Sequence, residues 1–141
     1  MHTANFRRQH DDARARISDI EMSLACPAFD SEHVSHQLMK LGGLLQIHFA
    51  MEDRSLYPAM LGSKNADAAR TASAYQHEMG GISPTLSSFV GRWRVPAAIR
   101  SDVEAFKAEC SVVLPALRER MDREDQVLYP LADRTFQPAM P

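Results

Sequence analysis

The chain of 141 residues is 45% hydrophobic and 24% charged, a balance that is typical of a globular protein and excludes a disordered one. Its formal net charge of −2 leaves no basic surface for nucleic acid, and it lacks the apolar run of roughly 18 residues that a membrane span needs. We expect one domain over residues 1–141, without a secretory signal or a disulfide framework, in the cytoplasm. Cys26 and Cys110 are expected to be small buried side chains.

Proline and loop-forming residues divide the chain into four predicted helices. Pro27 ends the first helix, and Asp30 and Ser31 offer an N-cap for the second. The loop Gly62–Asn65 precedes the third helix, and Pro96 separates the third from the fourth. The predicted helices cover about residues 4–25, 31–60, 65–93 and 97–129. Short loops between long helices favour an all-α, up-down-up-down four-helix bundle.

Ionisable residues interrupt the apolar stripes of three predicted helices. Apolar residues recur at spacings of three and four, and His10 lies in the series of helix 1. His48 and Glu52 lie in the series of helix 2, and Arg120 and Glu124 in that of helix 4. An unpaired carboxylate in a core is strongly destabilising, so these residues need a compensating partner. Facing histidine and carboxylate side chains are how four-helix bundles build metal sites.

Helix 3 offers one further histidine, His77, which lies beside its apolar stripe. Gly80, Gly81 and Pro84 follow it closely, and a local bend at these residues would turn His77 inward. We include His77 among the candidate ligands on this basis. The remaining histidines are expected to be solvated: His2, His33 and His36.

An internal repeat links helices 2 and 4. The segment His48–Pro58 aligns with Arg120–Pro130 and shares Glu, Asp, Leu, Tyr and Pro with it. The repeat would place Glu52 and Glu124 opposite each other, where carboxylates can bridge two cations. One buried histidine is more often a core residue, and Arg120 with Glu124 can form a simple ion pair, but ionisable groups on separate helices together favour a metal site.

The chemistry of the candidate donor atoms limits which metal ions could bind. Imidazole with carboxylate suits Fe, Zn, Mn or Cu, and the lack of a nearby thiolate pair argues against a structural zinc site. Among the other repeated residues, Asp53 and Asp125 are expected to be exposed or next to the ligands. Tyr57 and Tyr129 are expected to close the core.

Four elements in order resemble the hemerythrin-like HHE cation-binding family: Gln9-His10-Asp11, His48 to Pro58, Gln76-His77-Glu78, and Glu124 to Pro130. The resemblance implies a non-haem iron centre, commonly a carboxylate-bridged pair, that binds oxygen or responds to oxygen, nitric oxide or redox state. The implied metal ligands are His10, His48, Glu52, His77 and Glu124, with one or two Fe ions and with Zn or Mn as substitutes.

The sequence departs from the family pattern at Arg120, which stands where the second HxxxE motif has its histidine. A guanidinium has no lone pair and stays protonated, so it cannot be a ligand. Its positive charge next to the site favours one metal over two. Two alternatives are that Arg120 bends outward, with Pro115 loosening the helix, or that it clamps a carboxylate and leaves a degenerate site.

Three functions fit this pattern. The preferred one is a carrier or sensor, with a diatomic molecule such as O2 or NO as its partner and no catalytic residue. The second is an enzyme that reduces a peroxide or nitrogen oxide or delivers iron for repair. It needs a proton donor, for which Tyr57, Tyr75 and Tyr129 are the candidates by proximity. The third is a structural bundle whose metal site has lapsed.

Overall fold

The computed structural model describes residues 3–136, which form helices and no strand. The helices are α1 (Ala4–Leu24), α2 (Ser31–Met51), α3 (Tyr57–Leu61), α4 (Ala66–Trp93), α5 (Pro96–Ser101), α6 (Val103–Arg123) and α7 (Tyr129–Thr135). Two π-helical turns, Glu52–Leu56 and Glu124–Leu128, join α2 to α3 and α6 to α7. The predicted all-α class is confirmed.

Side-chain caps begin two of the long helices where the sequence predicts them. The carboxylate of Asp30 accepts hydrogen bonds from the backbone N–H groups of Glu32 and His33 at the start of α2. The amide oxygen of Asn65 does the same for the first turn of α4. Each cap satisfies backbone donors that have no partner inside the helix, so local sequence sets these boundaries.

The long helices pack as neighbours in chain order, with α1 against α2, α2 against α4, α4 against α6, and α6 against α1. The hydroxyl of Ser35, early in α2, donates to the carbonyl of Arg94 just after α4. Thr3, just before α1, donates to Asp133 in α7, whereas Glu21, near the end of α1, accepts from Arg118, about midway along the segment from α6 to α7. These neighbouring helices therefore run in opposite directions, which confirms the up-down-up-down bundle.

Two apolar clusters fill the bundle, with a polar layer between them. The larger cluster includes Ile17, Ile20, Leu38, Leu41, Leu45, Phe89, Phe106, Leu114 and Leu117. The smaller one includes Phe6, Leu56, Met60, Ala68, Ala72, Leu128 and Ala132. Along α1, α2 and α6, the buried ionisable residues lie between the members of the two clusters: His10, His48, Glu52, Arg120 and Glu124. The candidate site is therefore enclosed by apolar packing on both sides.

The fourth predicted helix, 97–129, differs from the structure at both ends. It is interrupted at Asp102, which separates α5 from α6, and it continues beyond Pro130 as α7. Proline in an α-helix loses a hydrogen bond and clashes with the carbonyl four residues before it. The π turn avoids this clash because Tyr129 N–H bonds to the carbonyl of Glu124 and Pro130 then lies in the first turn of α7. The prediction that the helix ends at residue 129 was wrong for this reason.

The repeated segment of helix 2 has the same construction. Tyr57 N–H bonds to the carbonyl of Glu52, and Pro58 lies in the first turn of α3. A π turn holds one more residue than an α turn, so the inward positions that follow it are shifted. Val127, which continues the spacing of four and three from Arg120 and Glu124, is 49% exposed, whereas Tyr129 is fully buried.

The burial predicted for the cysteines and for the histidines outside the candidate site is confirmed for some of them and wrong for one. Cys110 is buried as expected, and burial raises the pKa of its thiol to about 12. Cys26 is exposed, since it follows the end of α1, so its predicted burial was wrong. His33 and His36 are exposed as predicted, while His2 and the segment 137–141 lie outside the described residues.

Within residues 3–136, none of the helices has both the length and the hydropathy of a membrane span.

Candidate metal centre

Four of the predicted ligands meet in the polar layer. His10 comes from α1 and His48 from the end of α2, while Glu52 and Glu124 each begin a π turn. All four are at most 1% exposed. The Nε2 atom of His10 lies 3.1 Å from Nε2 of His48 and 3.1 Å from Oε1 of Glu124. Nε2 of His48 also lies 3.3 Å from Oε1 of Glu52, so Glu52 adjoins the group that the other three side chains form.

The structure does not bring His77 to this point. Its side chain is exposed, which corrects the expectation that it turns inward. The glycines and the proline do not interrupt the helix, since α4 continues through Gly80, Gly81 and Pro84. Tyr75 is the buried residue on this part of α4, so a tyrosine and not a histidine faces the polar layer.

Polar side chains contact the Nδ1 atoms of both histidine rings, on the side away from the cluster. Nδ1 of His10 lies 2.9 Å from Oδ1 of Asp125, and Arg14 pairs with the other oxygen of that carboxylate. Nδ1 of His48 lies 2.6 Å from Oε1 of Gln9. An oxygen acceptor at Nδ1 holds the proton there, which leaves the Nε2 lone pair directed at the cluster. Asp125 therefore lies next to the ligands, which was one of the two positions predicted for it.

Glu52 carries the clearest sign of a cation-binding site. Its Oε2 accepts a hydrogen bond from the hydroxyl of Tyr129 at 2.8 Å. Its Oε1 is buried and has no hydrogen-bond partner among the described residues. Burial and the negative charge of Glu124 raise the pKa of the Glu52 carboxyl. A bound cation would give Oε1 a partner and offset the cost of burying the carboxylate, so the residues present fit a metal ion.

The cluster already favours positive charge at its centre. Burial opposes protonation of His48, but the nearby carboxylates of Glu124 and Glu52 and their negative charges outweigh burial and raise its pKa to about 9. Burial alone would raise the pKa of Glu124, yet the neighbouring rings of His10 and His48 and the charge of Arg120 hold it below its ordinary value. A metal ion would replace the proton of His48 in this role, since histidine binds metals in its neutral form.

Comparison with known proteins gives one family match over these residues. The sequence model described as Hemerythrin HHE cation binding domain matches residues 1–132. The chain belongs to this family. No curated protein and no solved structure matches it. The cluster of His10, His48 and Glu124, whose donor atoms all lie within 4.8 Å of one another, is compatible with the cation binding that the family description states.

Arg120 is where this hemerythrin-like chain departs from the HHE pattern, and its side chain points inward. It is 3% exposed, so the alternative in which it bends outward is wrong. Its Nε lies 3.3 Å from Oε2 of Glu124, and its Nη1 lies 2.9 Å from Oε2 of Glu78. Its Nη2 donates to the carbonyl of Tyr75 at 2.7 Å and to the hydroxyl of Tyr57 at 3.3 Å. The guanidinium therefore clamps one oxygen of Glu124, while the other oxygen faces His10.

Two buried tyrosines reach the polar layer rather than only closing the core. The hydroxyl of Tyr57 contacts Arg120, whereas that of Tyr129 lies 3.2 Å from Nε2 of His10 and 3.3 Å from Nε2 of His48. Burial and the nearby carboxylates raise the pKa of both phenols, so both are protonated in the absence of a cation. From the sequence, Tyr129 was expected only as a candidate proton donor by proximity and not among the metal ligands, although its place in the repeat was the available signal.

Proposed function

We propose that this chain is a non-haem iron protein that binds O2 or NO, or senses them or the redox state. His10, His48, Glu52 and Glu124 would hold the metal. The observation that carries the proposal is the buried Oε1 of Glu52, which lies 3.3 Å from Nε2 of His48 but has no hydrogen-bond partner among the described residues. Iron supplies a redox-active ion to which a diatomic molecule can bind, and the residues described here position and enclose it.

The donor set supports iron. Two imidazole nitrogens with carboxylate oxygens are typical of non-haem Fe(II) sites, and the same donors also accept Mn or Zn. The two carboxylates together match the charge of one divalent ion, and Glu78 pairs with Arg120, so that a single ion leaves these groups close to neutral.

Arg120 supports one ion rather than two. A second ion bridged by Glu124 would need Oε2, which Arg120 Nε already contacts at 3.3 Å. Two unit charges of the same sign 4 Å apart repel by about 4 kcal/mol at an effective dielectric constant near 20. A divalent ion beside the guanidinium would experience about twice that repulsion, so the second position is disfavoured by charge as well as by space.

The enclosure of the site supports a small ligand. The four metal-binding side chains are fully buried, and Phe6 packs on both His48 and Tyr129 with ring centroids 5.7 and 5.6 Å away. Only a molecule of a few atoms could reach the metal without opening the bundle. Burial in apolar surroundings also keeps bulk water from competing with a weakly bound diatomic ligand.

Metal analysis combined with anaerobic titration tests the proposal. Protein expressed with iron supplied is expected to contain one iron per chain, and its ferrous form is expected to change its absorption spectrum when O2 or NO is added. Removal of the gas should reverse the change in a carrier. Catalytic turnover of peroxide with an electron donor would indicate the enzyme alternative, and a chain that takes up no metal would indicate the degenerate site.

Chelation should reveal how much the metal stabilises the fold. At a hundredfold excess over the dissociation constant, an ion that binds only the native state adds about 2.7 kcal/mol, or about 8 °C in melting temperature for a chain of this size. Chelator should therefore lower the melting temperature of the wild type and leave His48→Ala almost unchanged. Calorimetry of both proteins with and without chelator is the measurement. Equal shifts in the two would show that His48 does not bind the metal.

Asp125 should tune metal affinity through His10. Asp125→Asn is expected to weaken metal binding about 10–100-fold, because the carboxylate orients the imidazole and makes it more basic. Asp53→Asn is the matched control, since Asp53 has the same place in the repeat but is exposed. Metal affinity measured by competition with a coloured chelator gives the result. Similar losses in both variants would contradict a specific role for Asp125.

A further inference from the structure

The hydroxyl of Tyr129 lies among the metal-binding atoms rather than behind them. It is 3.2 Å from Nε2 of His10 and 3.3 Å from Nε2 of His48, which are themselves 3.1 Å apart. The three atoms thus form a nearly equilateral triangle. Neighbouring ligands bound at about 2.1 Å are about 3.0 Å apart in an octahedral site and about 3.4 Å apart in a tetrahedral one. The triangle therefore has the size of one face of a coordination shell.

Hydrogen bonds alone do not account for this arrangement. The phenol has a single proton, and its shortest contact is with Oε2 of Glu52 at 2.8 Å, which can only accept it. A proton on Nε2 of His48 could serve only one of the contacts among Oη and the two Nε2 atoms, and the others would need further protons. One cation centred above the face of the triangle would instead bind a lone pair from all three atoms at once.

The π turn explains why a tyrosine reaches this position. Tyr129 follows Glu124 by five residues, and the π-type bond between its N–H and the Glu124 carbonyl brings it back to the inward face. Its ring stacks on Phe6 at 5.6 Å and is fully buried, so the hydroxyl is held in place. A rigidly placed oxygen in a buried cluster is a preformed ligand position.

The charges in the layer also leave a place for a third anionic ligand. Glu52 and Glu124 match a divalent ion, whereas a ferric ion needs one more negative charge. We propose that the phenolate oxygen of Tyr129 is a direct ligand of the ferric ion. Formation of the metal–oxygen bond releases the phenolic proton, which Glu52 Oε2, the nearest acceptor, passes on to solvent, so that Glu52 keeps its negative charge. This inference rests on the proposed metal site and adds to it a ligand that favours the ferric state.

The chain contains its own matched control. Tyr57 has the same place in the repeat and the same complete burial as Tyr129, but its hydroxyl contacts the guanidinium of Arg120. Tyr57→Phe and Tyr129→Phe therefore remove the same atom from equivalent buried positions. Only one of them should affect the metal's electronic spectrum.

The test uses the full chain loaded anaerobically with one equivalent of Fe(II) and then oxidised with ferricyanide. We expect the wild type and Tyr57→Phe to show a visible phenolate-to-iron charge-transfer band, and resonance Raman excitation in that band to enhance tyrosinate ring vibrations. Tyr129→Phe should lose the band, retain its helical circular dichroism and bind ferric iron about tenfold or more weakly.

Each other result has a definite meaning. If the wild type holds one iron per chain but has no tyrosinate band, the ligand assignment to Tyr129 is wrong and the metal site stands. If Tyr129→Phe keeps the band, or Tyr57→Phe loses it, the assignment is also wrong. If elemental analysis finds no iron in the loaded wild type, the proposed function fails and this inference fails with it.

Discussion

His10→Ala is expected to abolish metal binding at concentrations that saturate the wild type, whereas His77→Ala should still bind one ion per chain. Structural zinc sites with four ligands bind with about 10–16 kcal/mol, so one ligand is worth about 2.5–4 kcal/mol, or on the order of 100-fold or more in affinity. Nε2 of His10 lies within 3.1 Å of two other candidate donors, while the His77 side chain is exposed on α4. Elemental analysis and isothermal titration with Fe(II) or Zn(II) would measure the difference.

Both variants replace a histidine with alanine, so their comparison separates the loss of a ligand from a general effect of removing a histidine. Circular dichroism before metal addition should show the same helical content in both. Retained one-to-one binding by His10→Ala would exclude it as a ligand. Loss of metal by His77→Ala would mean that α4 turns on metal binding and brings His77 inward, contrary to the arrangement described here.

Arg120→His is expected to raise the metal content from one ion per chain toward two. The substitution removes the buried positive charge and places a nitrogen lone pair one helical turn before Glu124, as His48 is placed before Glu52. Oε2 of Glu124, freed from the guanidinium, would then be available to a second ion together with the hydroxyl of Tyr57. Metal content by elemental analysis and the absorption spectrum after exposure to air are the measurements.

Arg120→Lys is the control for this experiment because it keeps the charge and, while protonated, offers no lone pair. It should therefore bind one ion, although the loss of the paired guanidinium contacts should lower its stability. Two ions in the wild type, or an Arg120→His variant with an unchanged metal content, would show that the charge of Arg120 does not limit the site. In that case the fit of His10, His48 and Glu52 to the first ion would be unaffected.

The architecture and much of the candidate centre could be predicted from the sequence. Apolar residues spaced three and four apart must face the bundle interior, and an ionisable residue in the same series faces inward with them. This is why His10, His48, Glu52 and Glu124 were correctly expected to meet in the core. Their role as metal ligands remains a prediction. The caps and loops also follow from local sequence, since each depends only on residues within a few positions.

The sequence by itself thus determined the four-helix bundle and most of the residues that face its interior, while tertiary structure alone decided three features of the site. His77 stays exposed because α4 continues without interruption past it, although glycines and a proline follow it. Arg120 turns inward because Glu124, Glu78 and the carbonyl of Tyr75 together satisfy its guanidinium, and these partners come from two helices. Tyr129 enters the cluster because a π turn shifts the helical register by one residue. Helical periodicity is a local property of the chain, whereas these three outcomes depend on which distant groups meet in the folded bundle.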